Sequence, residues 1–112
     1  MPGTATTIEI TTEGVDNPTL VQAHDTVKWQ AVATDVVGGV RQATITFTGS
    51  EPFTESLGGT LTLTGGNESS TYTVSTTAKA GKYPYTVVVD GGEYTFSCDI
   101  QVVESDAVII TD

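Results

Sequence analysis

The chain has few residues of the types that perform chemistry: one histidine, His24, and one cysteine, Cys98. A blue-copper centre takes two histidines and one cysteine, and a structural zinc site takes four cysteine or histidine ligands. Neither set can be built from one residue of each type. A Ser-His-Asp triad would have to use His24 beside Asp25, and no nucleophile elbow accompanies that pair. The sequence therefore predicts a protein that is not an enzyme, with no catalytic residue, no metal site and no cofactor.

Carboxylates are the more abundant groups that could perform chemistry. The chain has fourteen acidic and four basic residues, and its net charge is −10. Such a surface repels nucleic-acid phosphates, so no nucleic-acid partner is expected. Asp90 and Glu93 flank two glycines and offer too few oxygen ligands for calcium, which favours a solvated hairpin tip. No pair of carboxylates stands out as the acid and base of a glycosidase.

His24 and Cys98 themselves fit structural roles. His24 precedes a predicted strand, where a turn histidine is expected. Cys98 shares a predicted face with Phe96 and Ile100 and has no basic neighbour in sequence to stabilise a thiolate, which indicates a buried thiol. A single cysteine forms no intramolecular disulfide, so cysteine usage does not indicate whether the protein's compartment is oxidising or reducing.

The length predicts one domain over residues 1–112, with residues 105–112 as a tail or an extra strand. The N-terminus lacks the basic and apolar regions of a signal peptide, and no apolar run reaches the length of a membrane span. No membrane insertion is therefore expected. The localisation stays undefined, and is extracellular or at the cell surface if the sequence is an excised mature domain.

Alternation of apolar and polar residues runs along the whole chain and predicts about eight short strands separated by turns. The apolar members of the successive strands are Ile8 and Ile10; Leu20 and Val21; Val27, Trp29 and Ala31; Ala43, Ile45 and Phe47; Leu61 and Leu63; Tyr72 and Val74; Tyr83, Tyr85, Val87 and Val89; Tyr94, Phe96, Cys98, Ile100 and Val102. Short strands at this spacing predict an all-β fold, a two-sheet Greek-key sandwich.

One connection departs from the strand pattern. Ser50 and Pro52 suit the start of a helix, and Phe53 and Leu57 are four residues apart. This pattern predicts a short helical insert over residues 50–59.

Two positions bear on how the last strands pair. The run Asp90-Gly91-Gly92-Glu93 predicts a tight turn between them. Pro84 has no N–H to donate to a ladder, so its strand is expected at a sheet edge or with a bulge.

Three segments resemble the cupredoxins, the plastocyanin- and azurin-type copper sandwiches. Asp25-Thr26-Val27-Lys28-Trp29 is similar to their Gly-Asp-Thr-Val-x-Trp strand, Ala43-Thr44-Ile45-Thr46-Phe47 to His-x-Val-x-Phe, and residues 80–87 to Gly-x-Tyr-x-Tyr-x-Cys. The resemblance would place copper ligands at Ala43, at Val87 and near Asp90. None of these residues is His, Cys or Met, so the resemblance implies a cupredoxin-like scaffold without copper.

An immunoglobulin-like sandwich is the alternative topology. Trp29 would then be the core tryptophan of the third strand and Tyr83 the corner tyrosine. Tyr85 would occupy the position of the second cysteine.

Two segments suggest binding to a protein partner of unknown identity. Apolar loop residues Val36, Val37 and Val40, with Phe53 and Leu57, predict a docking patch if they lie at one end of the sandwich. The C-terminal run Val108-Ile109-Ile110 predicts either an extra strand in its own sheet, an extra strand in the sheet of a second copy through self-association, or a disordered tail.

These observations favour a non-catalytic interaction or structural module. The alternative is a carbohydrate- or small-ligand-binding domain, in which Trp29 or Tyr72 would have to be exposed to stack on a sugar. Alternation with Val27 predicts a buried Trp29 instead. Electron transfer through copper conflicts with the single histidine.

Overall fold

The computed structural model describes residues 4–17, 19–35, 37–55, 57 and 60–103. Nine strands form in this part of the chain. They are β1 Ala5–Thr11, β2 Gly14–Val15, β3 Thr19–Val21, β4 Thr26–Ala31, β5 Gln42–Phe47, β6 Thr60–Thr64, β7 Tyr72–Thr73, β8 Gly81–Val89 and β9 Tyr94–Val102. The eight predicted strands are all present, and the two-residue β2 is additional. The C-terminal run Val108-Ile109-Ile110 lies outside the described residues.

The strands form two sheets that pack face to face, which confirms the all-β sandwich. One sheet has the order β2-β1-β4-β7 and the other β3-β9-β8-β5-β6. Both sheets are mixed, because β1 runs parallel to β4 and β3 runs parallel to β9, whereas the other pairs are antiparallel. The short β2 belongs to the first sheet and the short β3 to the second, so the chain passes from one sheet to the other between them.

Side-chain alternation explains which face of each strand is buried. Along β4, Val27, Trp29 and Ala31 are buried, and the residues between them are partly exposed. Both sheets turn such apolar faces inward, and the core forms between them. Trp29 lies at its centre, with no exposed surface.

The predicted helical insert after β5 is wrong, because the described residues of that segment contain no helix. Phe53 instead forms an antiparallel bridge with Val74, and the Thr54 N–H donates to the Thr73 carbonyl at 2.8 Å. The helical spacing of apolar residues is misleading here, because the backbone groups of this segment pair with the edge of β7 rather than with one another.

The strand that contains Pro84 is central, with β9 on one side and β5 on the other. Its pairing with β9 runs without a bulge from Gly81↔Val102 to Val89↔Tyr94. Pro84 is tolerated because the ladder with β5 ends at Phe47↔Tyr85, so its missing N–H lies past the last paired residue. The expectation of an edge strand or a bulge is therefore corrected. The tight turn between β8 and β9 is confirmed, as a 3-10 turn over Asp90–Gly92.

Candidate functional site

The positions at which the resemblance would place copper ligands lie together but carry no ligating side chains. Ala43 and Val87 are on neighbouring strands, and both are fully buried. Asp90 follows β8, and its Oδ1 accepts hydrogen bonds from the Arg41 N–H at 2.7 Å and the Gln42 N–H at 3.2 Å. The carboxylate thereby ties the β8–β9 turn to the start of β5.

The hairpin tip is solvated at Gly91, Gly92 and Glu93, as expected, but the Asp90 side chain is not. Only 9% of the Asp90 side chain is exposed, whereas Glu93 is 57% exposed. Asp90 adopts φ 55°, in the left-handed region that non-glycine residues rarely occupy. Its two backbone hydrogen bonds hold it there. Among the described residues, no three His, Cys, Asp or Glu side chains are grouped so that they could hold a metal ion.

His24 lies in a tight turn, as expected, with φ 77°. The Asp25 carboxylate beside it accepts the Thr4 N–H through Oδ1 and the Gln22 N–H through Oδ2, both at 2.8 Å. Asp25 therefore ties its own turn to the chain that precedes β1. Both of its carboxylate oxygens accept backbone N–H groups, whereas a triad would need one of them to accept from the imidazole.

Cys98 is buried in the core, as predicted. Burial raises the pKa of its thiol, and the hydroxyl of Tyr85, opposite it on β8, only partly opposes this effect. Burial also raises the pKa of Tyr85 itself. Both groups therefore stay neutral near pH 7, which disfavours a thiolate nucleophile.

Trp29 and Tyr72, the two candidates for sugar stacking, are both buried. Trp29 makes edge-on contacts with Phe47, Phe53 and Tyr85, at ring-centroid distances of 6.2, 6.0 and 5.7 Å. These rings, with Tyr72, form the aromatic part of the core. Apart from Phe53, which also lines a surface groove, they are not available to a ligand from solvent.

The residues of the predicted apolar docking patch do not form one surface. Val40, Phe53 and Leu57 belong to the buried core, and Val36 lies outside the described residues. Val37 is 92% exposed. Val40 precedes β5 and Phe53 follows it, so they lie at opposite ends of a strand that spans roughly 20 Å. Among the described members, only Val37 remains open to a partner.

Strand edges, which sequence reasoning did not locate, differ in how they are protected. The outer side of β7 is covered, because Thr54 bonds to Thr73 and the Thr73 N–H donates to Glu55 Oε1 at 2.7 Å. The edges at β2 and β3 are two and three residues long. Beside β2, residues 5–8 of β1 have no partner strand on that flank among the described residues. Residues 94–99 of β9 lack a partner strand on the flank beside β3 in the described part of the chain.

The edge at β6 is five residues long. Its sequence, Thr60-Leu61-Thr62-Leu63-Thr64, has no charge, proline or glycine. Strand β5 covers one flank, and no described strand covers the other. Natural proteins usually blunt such edges with charged residues, proline or bulges. Strand β6 has none of these, since its register with β5 is continuous from Gln42↔Thr64 to Thr46↔Thr60.

An open groove, here called the Tyr83 groove, lies at the end of the sandwich where Phe53 covers the aromatic core. Its volume is about 400 Å³. The lining residues with polar or aromatic side chains are Ser50, Glu51, Phe53, Ser75, Thr77, Lys79 and Tyr83. The sequence places Tyr83 on a core-facing strand and gives no signal that residues 75–79 lie beside it.

Comparison with known proteins adds no relative: no family model, no curated protein and no solved structure matches this chain. No helix among the described residues is both long and apolar enough to cross a membrane.

Proposed function

We propose that this chain is a non-catalytic interaction module that binds an extended polypeptide segment along β6, as a further strand of the five-stranded sheet. The observation that carries the proposal is the unprotected edge of β6. Backbone N–H and C=O groups at such an edge bind an incoming strand without needing a specific side chain, as in other cases of strand addition.

The partner that we propose is a second copy of the chain. Its segment 104–112 contains the apolar run Ala107-Val108-Ile109-Ile110, which has the composition of a strand. Within one copy, that segment follows β9, which already has β3 on one side and β8 on the other. A simple hairpin between the segment and β9 is therefore blocked, which favours exchange between copies.

The proposal keeps the cupredoxin-like scaffold without copper as its interpretation of the fold. The buried apolar side chains of Ala43 and Val87, at the ligand-equivalent positions, support it. Asp90 also supports it, because its carboxylate closes this end of the sandwich with hydrogen bonds to the backbone.

Sedimentation velocity of the full chain from about 10 µM to about 1 mM tests the proposal, since dimer formation depends on concentration. Each copy carries a net charge of −10, so association should strengthen as the salt rises from about 0.05 M to about 0.5 M. Chain that lacks residues 104–112 should be monomeric, and a peptide of those residues should bind to it.

The matched variants are Thr62→Lys and Thr86→Lys. Thr62 is exposed on the open edge, whereas the partly exposed Thr86 is on β8 and is paired on both sides, with Thr46 of β5 and Ser97 of β9. Thr62→Lys should weaken association at least tenfold, and Thr86→Lys should leave it near the wild-type value. A monomer at every concentration and salt, together with no binding of the peptide, overturns the proposal.

A further inference from the structure

We infer that the Tyr83 groove binds a neutral saccharide. This site lies on surface separate from the β6 edge and from the buried rings of Trp29 and Tyr72. The inference is based on three features of the groove: its walls are fixed, its lining combines an aromatic ring with hydroxyls, and its charges are balanced.

Hydrogen bonds hold the walls of the groove in place. The Tyr83 hydroxyl donates to the Lys79 carbonyl at 2.7 Å, which fixes the ring against the loop before β8. The hydroxyls of Ser75 and Thr77 are 2.8 Å apart, and the Thr77 N–H donates to Ser75 Oγ at 3.1 Å. The Ser75 N–H donates to the Pro52 carbonyl at 2.8 Å, which joins the two walls. A site ordered before binding loses less entropy when a ligand enters.

The groups in the lining match the chemistry of a sugar ring. Tyr83 is half-buried, and such an aromatic ring can pack against the C–H face of a pyranose. Ser75 and Thr77 can each donate and accept a hydrogen bond, as sugar hydroxyls do. A concave site with one aromatic surface and a few converging polar groups is typical of small-ligand binding.

The charges of the groove favour a ligand without net charge. Glu51 belongs to one wall and Lys79 to the other, and Glu51 Oε1 already accepts the Leu57 N–H at 2.9 Å, which leaves Oε2 for a ligand. An anionic ligand would meet the Glu51 carboxylate, and a cationic ligand would meet the Lys79 ammonium group. The net charge of −10 disfavours anions further. A neutral saccharide can accept a hydrogen bond from Lys79 and donate one to Glu51 without these repulsions.

The test is a titration of the isotope-labelled full chain, followed by amide NMR, with neutral hexasaccharides of glucose (β1,4 and α1,4), xylose, mannose and N-acetylglucosamine. Addition to about 10 mM detects a Kd of about 1 mM. At least one sugar should shift the amide signals of residues 75–79 and of Tyr83. The signals of β6 should stay unchanged.

Three variants locate the binding. Tyr83→Leu should weaken it at least fivefold by removing the ring, and Thr77→Val should weaken it by removing one hydroxyl while the shape is kept. Tyr94→Leu is the control, because Tyr94 is an exposed tyrosine at the opposite end of β8–β9. If Tyr83→Leu proves unfolded by circular dichroism, Thr77→Val decides the question.

Two results overturn the inference: no sugar of the panel shifts the groove signals, or binding persists unchanged in the folded variants at Tyr83 and Thr77. Thr62→Lys must leave sugar binding intact. Failure of the β6 proposal is therefore distinguishable from failure of this one.

Discussion

The two ends of the sandwich are closed in different ways. At the aromatic end, the space between the sheets is filled by large rings. These are Trp29, Phe47, Phe53, Tyr72 and Tyr85. At the aliphatic end, the buried side chains are aliphatic. They include Ile10, Ala31, Val40, Ala43, Leu63, Val87 and Val89.

Close approach of the backbone also closes this second end. At the aliphatic end, Gly65 packs directly against the Val40 carbonyl, and its N–H donates to the Arg41 carbonyl at 3.0 Å. Gly39 packs in the same way against the Ala33 carbonyl. The aromatic end instead needs the chain after β5 to cover its rings, and that cover forms one wall of the Tyr83 groove. Large rings at one end therefore need a covering segment, which forms a wall of the groove, whereas backbone contact closes the other end.

The largest expected effect is at the centre of the aromatic end. Trp29→Ala should lower the free energy of unfolding by about 3–5 kcal/mol, because a fully buried indole leaves a cavity that the sheets cannot fill. Val87→Ala, equally buried at the aliphatic end, should cost about 1–3 kcal/mol. Urea unfolding followed by circular dichroism measures both, since Trp29 is the sole tryptophan and its fluorescence is lost in the first variant. Equal losses of unfolding free energy in the two variants would show that the aromatic and aliphatic ends do not differ in this way.

An intermediate effect is expected where the backbone approaches closely. Gly65→Ala should cost about 1–3 kcal/mol, because the added methyl group would overlap the Val40 carbonyl oxygen, which belongs to backbone and cannot rotate away. Gly49→Ala is the matched control, since open space surrounds Gly49. That control should be neutral or slightly stabilising. Thermal melts of both variants make the measurement. If Gly65→Ala melts at the same temperature as Gly49→Ala, the aliphatic end is not closed by backbone contact.

The smallest effect concerns pH at the cover of the aromatic end. The hydrogen bond from the Thr73 N–H lowers the pKa of Glu55 below its ordinary 4.5. A lowered pKa in the folded state means that the ionised carboxylate stabilises the fold above the unfolded pKa, and that this contribution is lost as the pH falls through the folded pKa. Glu55→Gln should therefore lower the urea midpoint slightly at about pH 7 and change it less at about pH 3. If the difference in urea midpoint between Glu55→Gln and wild type is as large at about pH 3 as at about pH 7, the ionised Glu55 carboxylate does not stabilise this segment.

Most of the secondary structure follows from the sequence because alternation is a local property. Val27, Trp29 and Ala31 share a face by the geometry of a strand, whatever the strand pairs with. The same holds for Cys98, whose burial follows from its place between Phe96 and Ile100 along β9. Counting residues also limits the chemistry, since one His and one Cys exclude the standard copper and zinc sites in any fold that the chain could adopt.

Predictions that depend on neighbours in space are less successful. Phe53 and Leu57 have helical spacing, but their segment is held beside β7 by the Phe53–Val74 bridge and by the Glu55 carboxylate. The sequence does not show that β7 lies beside it. Apolar character alone groups Val40 with Phe53 in one patch, although β5 separates them along its full length. The missing N–H of Pro84 favours an edge strand, and its central position depends on the ladder with β5 ending one residue early.

By itself, the amino-acid sequence determined the class of fold, the buried face of the long strands and the scarcity of metal-ligating side chains. These properties depend only on composition and on the two-residue period of a strand. The tertiary structure sets the parallel pairing of β1 and β3 with β4 and β9, leaves β6 as an open edge, and brings residues 50–53 against residues 75–83 to form a groove. The reason is physical: hydrogen bonding between strands and packing between sheets join residues far apart in the chain, and local periodicity contains no record of those partners.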